Sequence, residues 1–227
     1  MRSYDRIVFY SLIYRTLTVQ KTHTFIAREG RPYILLSLCI AGLAWFYIGL
    51  VPSLPLWSLP FILAFLFRDS VRDIPSEPLA IVSPVDGDVI EVVAVRDGFL
   101  DRDAIKIVLS MRLMDMYSIR SPIEGKVMNQ WLVDTHFAVS DAPRFAQWIQ
   151  TDEKDDLLMA IYTRVLPRRP RCYVQSGERV GQGQRCGFMS FGARLEVYVP
   201  TDGRVEVKAG QRVRAGESVI AHFIHRS

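Results

Sequence analysis

The side chains of this sequence that could bind or transform a ligand are chiefly one aspartate and two arginines. Asp86 lies in the turn Ser83-Pro-Val-Asp-Gly87, where it could titrate in a pocket. An Asp in such a turn more often bonds nearby backbone, and we favour that structural role. Arg120 and Arg194 could hold an anion, because the planar guanidinium group matches phosphate and carboxylate. The alternative is a salt bridge to a nearby acid, Asp115 or Glu196.

The sequence predicts no metal site. Its three cysteines are Cys39, Cys172 and Cys186. They include no Cys-x-x-Cys pair, so we expect neither a disulfide framework nor a four-ligand zinc site. His222 and His225 would point to opposite faces of a strand, which argues against a shared metal, and His136 is expected to be structural.

Composition and charge narrow the function classes. The chain has 227 residues, a formal net charge of +4 and 49% hydrophobic residues, which excludes a disordered or collagen-like protein. Its basic residues are not interleaved with aromatic ones as in nucleic-acid-binding motifs, so we predict no nucleic-acid partner. One cluster of basic residues could either lie against anionic lipid or face solvent in a loop. It consists of Arg164, Arg168, Arg169 and Arg171.

A long apolar segment near the start predicts a membrane anchor. No charged residue stands between Arg31 and Arg68, and the run 33–51 is long enough to cross the hydrocarbon, which takes ~20 helical residues. A break at Pro52–Pro55 and a second apolar run, 56–67, follow. Two interpretations remain open: a helical hairpin that crosses and returns, or one span with a re-entrant or interfacial second arm. A buried hairpin of a soluble protein is the disfavoured alternative.

The flanks of this segment predict its orientation. Arginine and lysine outnumber acids before it, and Arg68 and Arg72 follow it, so the positive-inside rule places both flanks in the cytosol. We therefore expect a membrane-anchoring segment over 1–75, with its apolar hairpin at 33–67. A β domain over 76–227 should then lie on the cytoplasmic face of the inner membrane.

The remainder predicts a mainly β fold, a barrel or sandwich. The expected strands are 89–95, 105–110, 158–165, 195–199, 205–208 and 218–223, with a hairpin turn at Asp97-Gly98 and one short helix over 142–150. Two phrases recur and predict turn-then-strand units like those of lipoyl-type barrels. The first phrase occurs as Ser83–Val89, Ser121–Val127 and Thr201–Val205, and the second occurs as Gly177–Gly183 and Gly210–Gly216. No lysine stands at a hairpin tip, so a swinging-arm function is not expected.

An ordered set of motifs resembles a known family. The set comprises Ala27-Arg-Glu-Gly30, Phe67-Arg-Asp69, Ser83-Pro-Val-Asp-Gly87, the segment 110–122 and the segment 187–200. Together they resemble the short, archaeal-type phosphatidylserine decarboxylases over about residues 25–200. The resemblance implies a proenzyme that cuts itself before a serine and converts that serine into a pyruvoyl group. The pyruvoyl group then acts as the electron sink for decarboxylation.

Three departures from the family motifs concern the reactive groups themselves. The cleavage motif reads Phe191-Gly192-Ala193-Arg194, and alanine has no hydroxyl to attack the preceding carbonyl, so no pyruvoyl cofactor is expected. Tyr117 stands where the family has a histidine, and a phenol of pKa ~10 is a poor base at neutral pH. The segment 151–157 replaces a third family motif. Ser190 is not expected to substitute, because a nucleophile must be placed to within ~0.5 Å.

Two hypotheses follow from the resemblance. The first is a pseudoenzyme, a non-catalytic, membrane-held relative that binds a phospholipid headgroup or acts as a scaffold, and the three departures favour it. The second is a phosphatidylserine decarboxylase proenzyme with alanine in place of its cleavage serine. Both predict a membrane phospholipid as partner, and the resemblance implies a homo-oligomer. In either case the site residues are Asp86, Tyr117, Arg120, Gly192, Ala193 and Arg194.

Overall fold

The computed structural model describes residues 25–132, 145–163, 170–190 and 192–224. The predictions for His136, His225 and arginines 164, 168 and 169 lie outside these ranges. Within them, two helices precede fourteen short strands.

The apolar segment folds as two packed helices. A 3-10 turn, Arg28–Gly30, leads into α1 (Arg31–Ile48), and α2 (Leu50–Leu66) follows directly. Trp45 of α1 meets Trp57 of α2 with ring centroids 6.3 Å apart. At the other end Tyr33 stacks on Phe67 at 5.6 Å, so the two helices run antiparallel as a hairpin.

The turn of this hairpin does not lie at the predicted prolines. It lies at Gly49, whose φ of +87° favours glycine, while α2 continues through Pro55 and Pro60. Pro52 sits in the first turn of α2, where its missing N–H has no helical acceptor. The Ser58 hydroxyl donates to the Pro55 carbonyl at 2.7 Å. The prediction of a break at Pro52–Pro55 is therefore wrong.

The first helix has the length and composition of a membrane span. Among the described residues, Arg28–Ile48 is long and apolar enough to cross a bilayer, and most of it is exposed. The second apolar helix, Leu50–Leu66, is shorter. At ~1.5 Å per residue, both approach the ~30 Å of a hydrocarbon core.

The rest of the described chain is β structure, all of it antiparallel. The strands are β1 (Ala80–Val82), β2 (Gly87–Asp97), β3 (Arg102–Ser110), β4 (Ser118–Arg120), β5 (Gly125–Leu132), β6 (Phe145–Gln150), β7 (Asp156–Thr163), β8 (Arg171–Cys172), β9 (Arg179–Val180), β10 (Arg185–Phe188), β11 (Ala193–Pro200), β12 (Arg204–Val205), β13 (Arg212–Val213) and β14 (Val219–His222). A curled eight-stranded sheet has the order β13-β2-β3-β11-β7-β6-β5-β9. Two three-stranded sheets, β1-β14-β12 and β4-β10-β8, complete the fold. The prediction of a mainly β fold is confirmed at this level.

Alternation along the strands sorts side chains onto two faces of the large sheet. In β11, Leu195 and Val197 belong to the main core, whereas Tyr198 belongs to a smaller cluster on the opposite face. The main core also takes in Ala27 and Phe67 from the base of the helical hairpin. The hairpin is therefore fixed to the β structure by packing as well as by the chain.

The predicted strands are largely confirmed, and the predicted helix is wrong. The turn at Asp97-Gly98 joins β2 and β3 as an antiparallel hairpin. The segment 205–208 contributes strand only at its start, in β12. Residues 145–150 form β6, which pairs with β5 on one side and β7 on the other. Phe145 and Ile149 alternate onto the main core, so tertiary pairing overrides the helical pattern of this short run.

The two repeated phrases pack onto each other as equivalent pairs. The N–H of Gly216 donates to the Ser83 carbonyl at 2.8 Å, and the N–H of Gly183 donates to the Ser121 carbonyl at the same distance. The hydroxyls of Ser83 and Ser121 each donate to the carbonyl two residues on, at 2.7 Å. Ser83–Val89 and Ser121–Val127 thus each dock on a copy of the second phrase. The predicted turn-then-strand repeat is confirmed for these two pairs, whereas the third copy of the first phrase, Thr201–Val205, is a turn that leads into β12.

Candidate functional site

Ala193 begins β11 at a tightly specified backbone position. Gly192 has a φ of +79°, and a Cβ placed there would lie 3.2 Å from the Met111 carbonyl oxygen. The N–H of Met111 donates to the Ala193 carbonyl at 2.9 Å. The Ala193 methyl is 0% exposed within the main core. The segment 192–193 is therefore held against the start of the 111–117 loop.

Arg194 points to the opposite face of the sheet from Ala193. Its guanidinium donates to Glu196 Oε1 at 2.5 Å and lies 5.3 Å from the centre of the Tyr162 ring. The Tyr198 hydroxyl donates to the other Glu196 oxygen at 2.7 Å. Burial, followed by the Glu196 charge, raises the pKa of Tyr162 to about 12. The salt-bridge alternative for Arg194 is present in the structure.

Tyr117 is buried in the main core. Its side chain is 1% exposed, and its hydroxyl donates to the Leu113 carbonyl at 2.6 Å. The ring meets those of Phe67 and Phe188 edge-on, with centroids 5.9 and 6.0 Å away. The hydroxyl is thus committed to the backbone of its own loop, and the ring joins the hairpin base to β10.

Asp86 is a buried carboxylate with a partner on each oxygen. The N–H of Ala215 donates to Oδ1 at 2.7 Å, and Arg72 donates to Oδ2 at the same distance. Arg72 also donates to Glu217 at 3.2 Å and lies 3.0 Å from the Met116 sulfur. The backbone bond that we predicted for Asp86 exists, but it goes to a residue distant in sequence rather than to the local turn.

The internal repeat shows that Asp86 is more than a turn residue. Its counterpart in the second copy of the phrase, Glu124, is exposed. Gly87 and Gly125 are equivalent in both copies, since a Cβ at either would clash with a backbone carbonyl of the neighbouring strand. The turn geometry thus needs no buried acid, and the burial and ion pair are specific to Asp86.

Arg120 lies between the β structure and the linker, which we define as residues 67–79, between the end of α2 and the start of β1. It donates to the carbonyls of Gly183 and Ser70 at 3.0 Å and lies 3.5 Å from Asp69 Oδ1. Burial lowers the pKa of Arg120, and the Asp69 charge opposes that shift. The predicted salt bridge to Asp115 is wrong, because Asp115 instead pairs with Arg212 at 2.5 Å.

The 111–117 loop connects most of the predicted site. It holds the Ala193 carbonyl at one end and carries Tyr117 at the other, while Met116 contacts the arginine that binds Asp86. Arg194 faces away from this region and Arg120 is engaged with the linker. The described contacts therefore group Gly192, Ala193, Tyr117 and Asp86. Arg194 lies apart from this group, whereas the backbone N–H of Arg120 donates to the Pro84 carbonyl in the Asp86 turn at 2.8 Å.

Sequence reasoning missed the residues of the linker. Arg185 donates to Glu29 at 3.0 Å and pairs with Asp69 at 3.1 Å, so both ends of the hairpin are tied to β10. Asp69 is part of the motif Phe67-Arg-Asp69 and Arg72 follows it closely, which was the available signal. We counted Arg72 only as a flanking charge and Asp69 only as a motif residue.

The described residues contain no group of three His, Cys, Asp or Glu side chains that could hold a metal ion. Cys186 is buried, and burial raises the pKa of the Cys172 thiol. Neither has the exposed, electropositive surroundings of a reactive cysteine.

The residues present do not fit formation of the family's pyruvoyl group. The resemblance derives that group from a serine hydroxyl at position 193, where this chain presents a methyl packed in the core. No chemical step through a pyruvoyl group can therefore be assigned to the chain as it stands.

Comparison with known proteins identifies the family. The family model for phosphatidylserine decarboxylase matches residues 61–221. A phosphatidylserine decarboxylase proenzyme of Nitrosomonas eutropha is 36% identical over 208 residues, 88% of this chain and 96% of the relative. Proteins of the same name from Aromatoleum aromaticum and Burkholderia ambifaria are each 34% identical over 88% of this chain and 97% of theirs. The chain belongs to the phosphatidylserine decarboxylase family.

Proposed function

We propose that this chain is a phosphatidylserine decarboxylase proenzyme with alanine at its cleavage position. The relatives that match nearly all of it carry that name, which favours this hypothesis over the non-catalytic relative that we preferred from the sequence. Its reaction would convert phosphatidylserine into phosphatidylethanolamine and CO₂. The observation that carries the proposal is the tightly held turn at Gly192, which would present residue 193 for self-cleavage.

The side chain at position 193 decides whether the proenzyme can mature. In the family, a serine hydroxyl attacks the preceding carbonyl carbon, which turns a peptide bond into an ester. Elimination then breaks the chain. Here that carbonyl belongs to Gly192, and the Ala193 methyl can neither attack nor eliminate. We infer that the uncut chain is the stable form of this sequence.

The substrate and the helical hairpin together favour a membrane location. Phosphatidylserine is a bilayer lipid, and Arg28–Ile48 has the length and composition of a span. We propose that the hairpin anchors the protein, with the β structure on the cytoplasmic face of the inner membrane. Membership of the archaeal-type subgroup and homo-oligomerisation stay predictions.

One observation favours the second candidate, a non-catalytic lipid-binding relative. Tyr117 stands where the family motif has a histidine, and its hydroxyl is bound to the Leu113 carbonyl. A buried, satisfied phenol does not serve as a base at neutral pH. A chain that lost only its cleavage serine would be expected to retain the histidine.

The variant Ala193→Ser tests these candidates. The proenzyme proposal expects two fragments on denaturing gels, separated after Gly192, and release of CO₂ from phosphatidylserine in mixed micelles. Ser190→Ala in the Ala193→Ser background is the matched control and should cleave equally well. Cleavage that appears only when Tyr117→His is added would favour the non-catalytic relative. An intact chain in every variant, with native circular dichroism, would refute the decarboxylase proposal.

A further inference from the structure

An exposed apolar patch surrounds the base of the helical hairpin. We define this base patch as Phe25, Phe65, Arg68, Leu113 and Met114. Phe25 is 71% exposed, Leu113 54% and Met114 69%, which is unusual for large apolar side chains so close together. Leu113 and Met114 belong to the loop between β3 and β4, and Phe65 belongs to α2. Phe25 and Arg68 lie just before and just after the helical hairpin, so the patch crosses the junction between the hairpin and the β structure.

Specific contacts bring these residues together. The Arg68 guanidinium donates to the Met114 carbonyl at 3.0 Å and lies 4.2 Å from the centre of the Phe65 ring. Ile26 and Arg68 form a backbone bridge, and the N–H of Asp69 donates to the Phe25 carbonyl at 2.8 Å. The patch is therefore built around Arg68.

The charge of Arg68 matches a lipid surface. Within the part of the chain that the structure describes, no carboxylate pairs with Arg68, whereas Arg72, four residues on, has two acidic partners. Arg68 also ends the uncharged stretch of the hairpin. An arginine whose stem crosses apolar side chains can reach the phosphate level of a bilayer from such a position.

We propose that the base patch enters the headgroup region of a phospholipid bilayer, with Leu113 and Met114 inserted beside the foot of α2. This inference rests on the membrane anchoring proposed above. Continuity with the exposed apolar surface of the hairpin argues for lipid as the occupant rather than a second protein.

The 111–117 loop, which carries Leu113 and Met114, also contacts the candidate site, so its depth in the bilayer would determine how a phospholipid reaches that site. The same loop holds residue 193 through Met111 and accepts the Tyr117 hydroxyl at Leu113. An inserted loop would place the cleavage position at headgroup depth. Phospholipid would then enter the site sideways from the bilayer, without first leaving it.

The experiment is a depth measurement by fluorescence quenching. The full chain carries Cys39→Ala and a single new cysteine, Met114→Cys, labelled with an environment-sensitive fluorophore in nanodiscs of phosphatidylcholine and phosphatidylglycerol. The native Cys186 is buried, and Cys172 is half-buried with a thiol whose pKa is raised by burial, so both should react more slowly than an exposed cysteine. Ile90→Cys is the matched control, since Ile90 is an exposed apolar residue of β2. Phe46→Cys reports on the hairpin itself.

Lipids with a nitroxide near the headgroup should quench the Met114→Cys label at least about twofold more than the Ile90→Cys label, because interfacial side chains lie ~5–10 Å deep. Leu113→Cys should behave like Met114→Cys. Equal quenching at positions 114 and 90, with strong quenching at position 46, would overturn this inference and leave the anchoring intact. Absence of quenching at position 46 as well would overturn both, whatever the outcome for decarboxylation.

Discussion

The ion pair between Arg72 and Asp86 is expected to hold the linker on the β structure, and Arg72→Met tests this. Both side chains are largely buried, with exposures of 7% and 12% at a distance of 2.7 Å. Methionine keeps most of the length of the arginine stem but leaves the Asp86 carboxylate with only its bond from Ala215. Removing one partner of a buried pair costs about 3–5 kcal/mol, since the remaining charge stays desolvated.

This cost predicts a measurable change in thermal stability. At the lower value of about 3 kcal/mol, Tm should fall by roughly 6–12 °C for a chain of this size. The measurement is circular dichroism of the full chain in detergent, with refolding checked on cooling. Arg96→Met is the matched control, because the Arg96–Asp101 pair has a similar distance of 2.8 Å but exposures of 67% and 83%. Its Tm should not change.

A double variant separates loss of the ion pair from loss of packing. Asp86→Asn keeps an oxygen for the Ala215 N–H and removes the unpaired charge, so Arg72→Met with Asp86→Asn should recover at least half of the lost Tm. If Arg72→Met shifts Tm no more than Arg96→Met does, the ion pair does not secure the linker. If the double variant is no better than Arg72→Met alone, the loss comes from packing.

Three further substitutions test single contacts in the site and its surroundings. Gly192→Ala should lower the free energy of unfolding by about 1–2 kcal/mol in a denaturant titration, because the Gly192 φ of +79° disfavours a residue with a Cβ. Gly98→Ala is the control and should be neutral, since a Cβ at Gly98 meets nothing within 4 Å. Equal unfolding midpoints for the two variants would contradict this prediction. Tyr117→Phe should lose about 1 kcal/mol with its bond to the Leu113 carbonyl, and an unchanged midpoint would show that this bond contributes nothing. Burial raises the pKa of Tyr162 to about 12, so the folded state retains a proton that the unfolded state releases near pH ~10. The free energy of unfolding is therefore unaffected by Tyr162 below pH ~10 and falls as the pH rises from ~10 towards ~12. In Tyr162→Phe the free energy of unfolding should fall less steeply over this pH range. Identical pH profiles for the two proteins would refute the raised pKa of Tyr162.

Local sequence patterns predicted most of the strands because these are short β-rich runs bounded by Gly, Asp and Pro. The prediction of a helix over 142–150 failed in its described part, 145–150, where Phe145 and Ile149 also fit a helical spacing and only pairing with β5 and β7 decides the outcome. It failed again at the hairpin turn, because prolines were weighed above Gly49. A proline in the first turn of a helix costs little, whereas a positive φ strongly favours glycine.

The motifs located Gly192, Ala193 and Tyr117, since each belongs to a short continuous phrase. They could not supply the partners of Asp86 and Arg120, because those contacts join residues far apart in the chain. Asp86 and Ala215, for example, are 129 positions apart. Spacing in the sequence identifies the side chains that could react, but only the fold shows which of them already have ion-pair or hydrogen-bond partners.

The contacts of the linker join the helical hairpin rigidly to the candidate site. Phe67 ends the hairpin, yet its ring packs on Tyr117 and Phe188 inside the main core. Asp69 follows directly and binds both Arg120 and Arg185. A hairpin on a free tether would leave the β structure free to rotate relative to the helices. Attachment at this junction instead fixes the position and orientation of the 111–117 loop relative to the foot of α2. Under the membrane anchoring proposed above, the same contacts would set the depth of that loop in the bilayer.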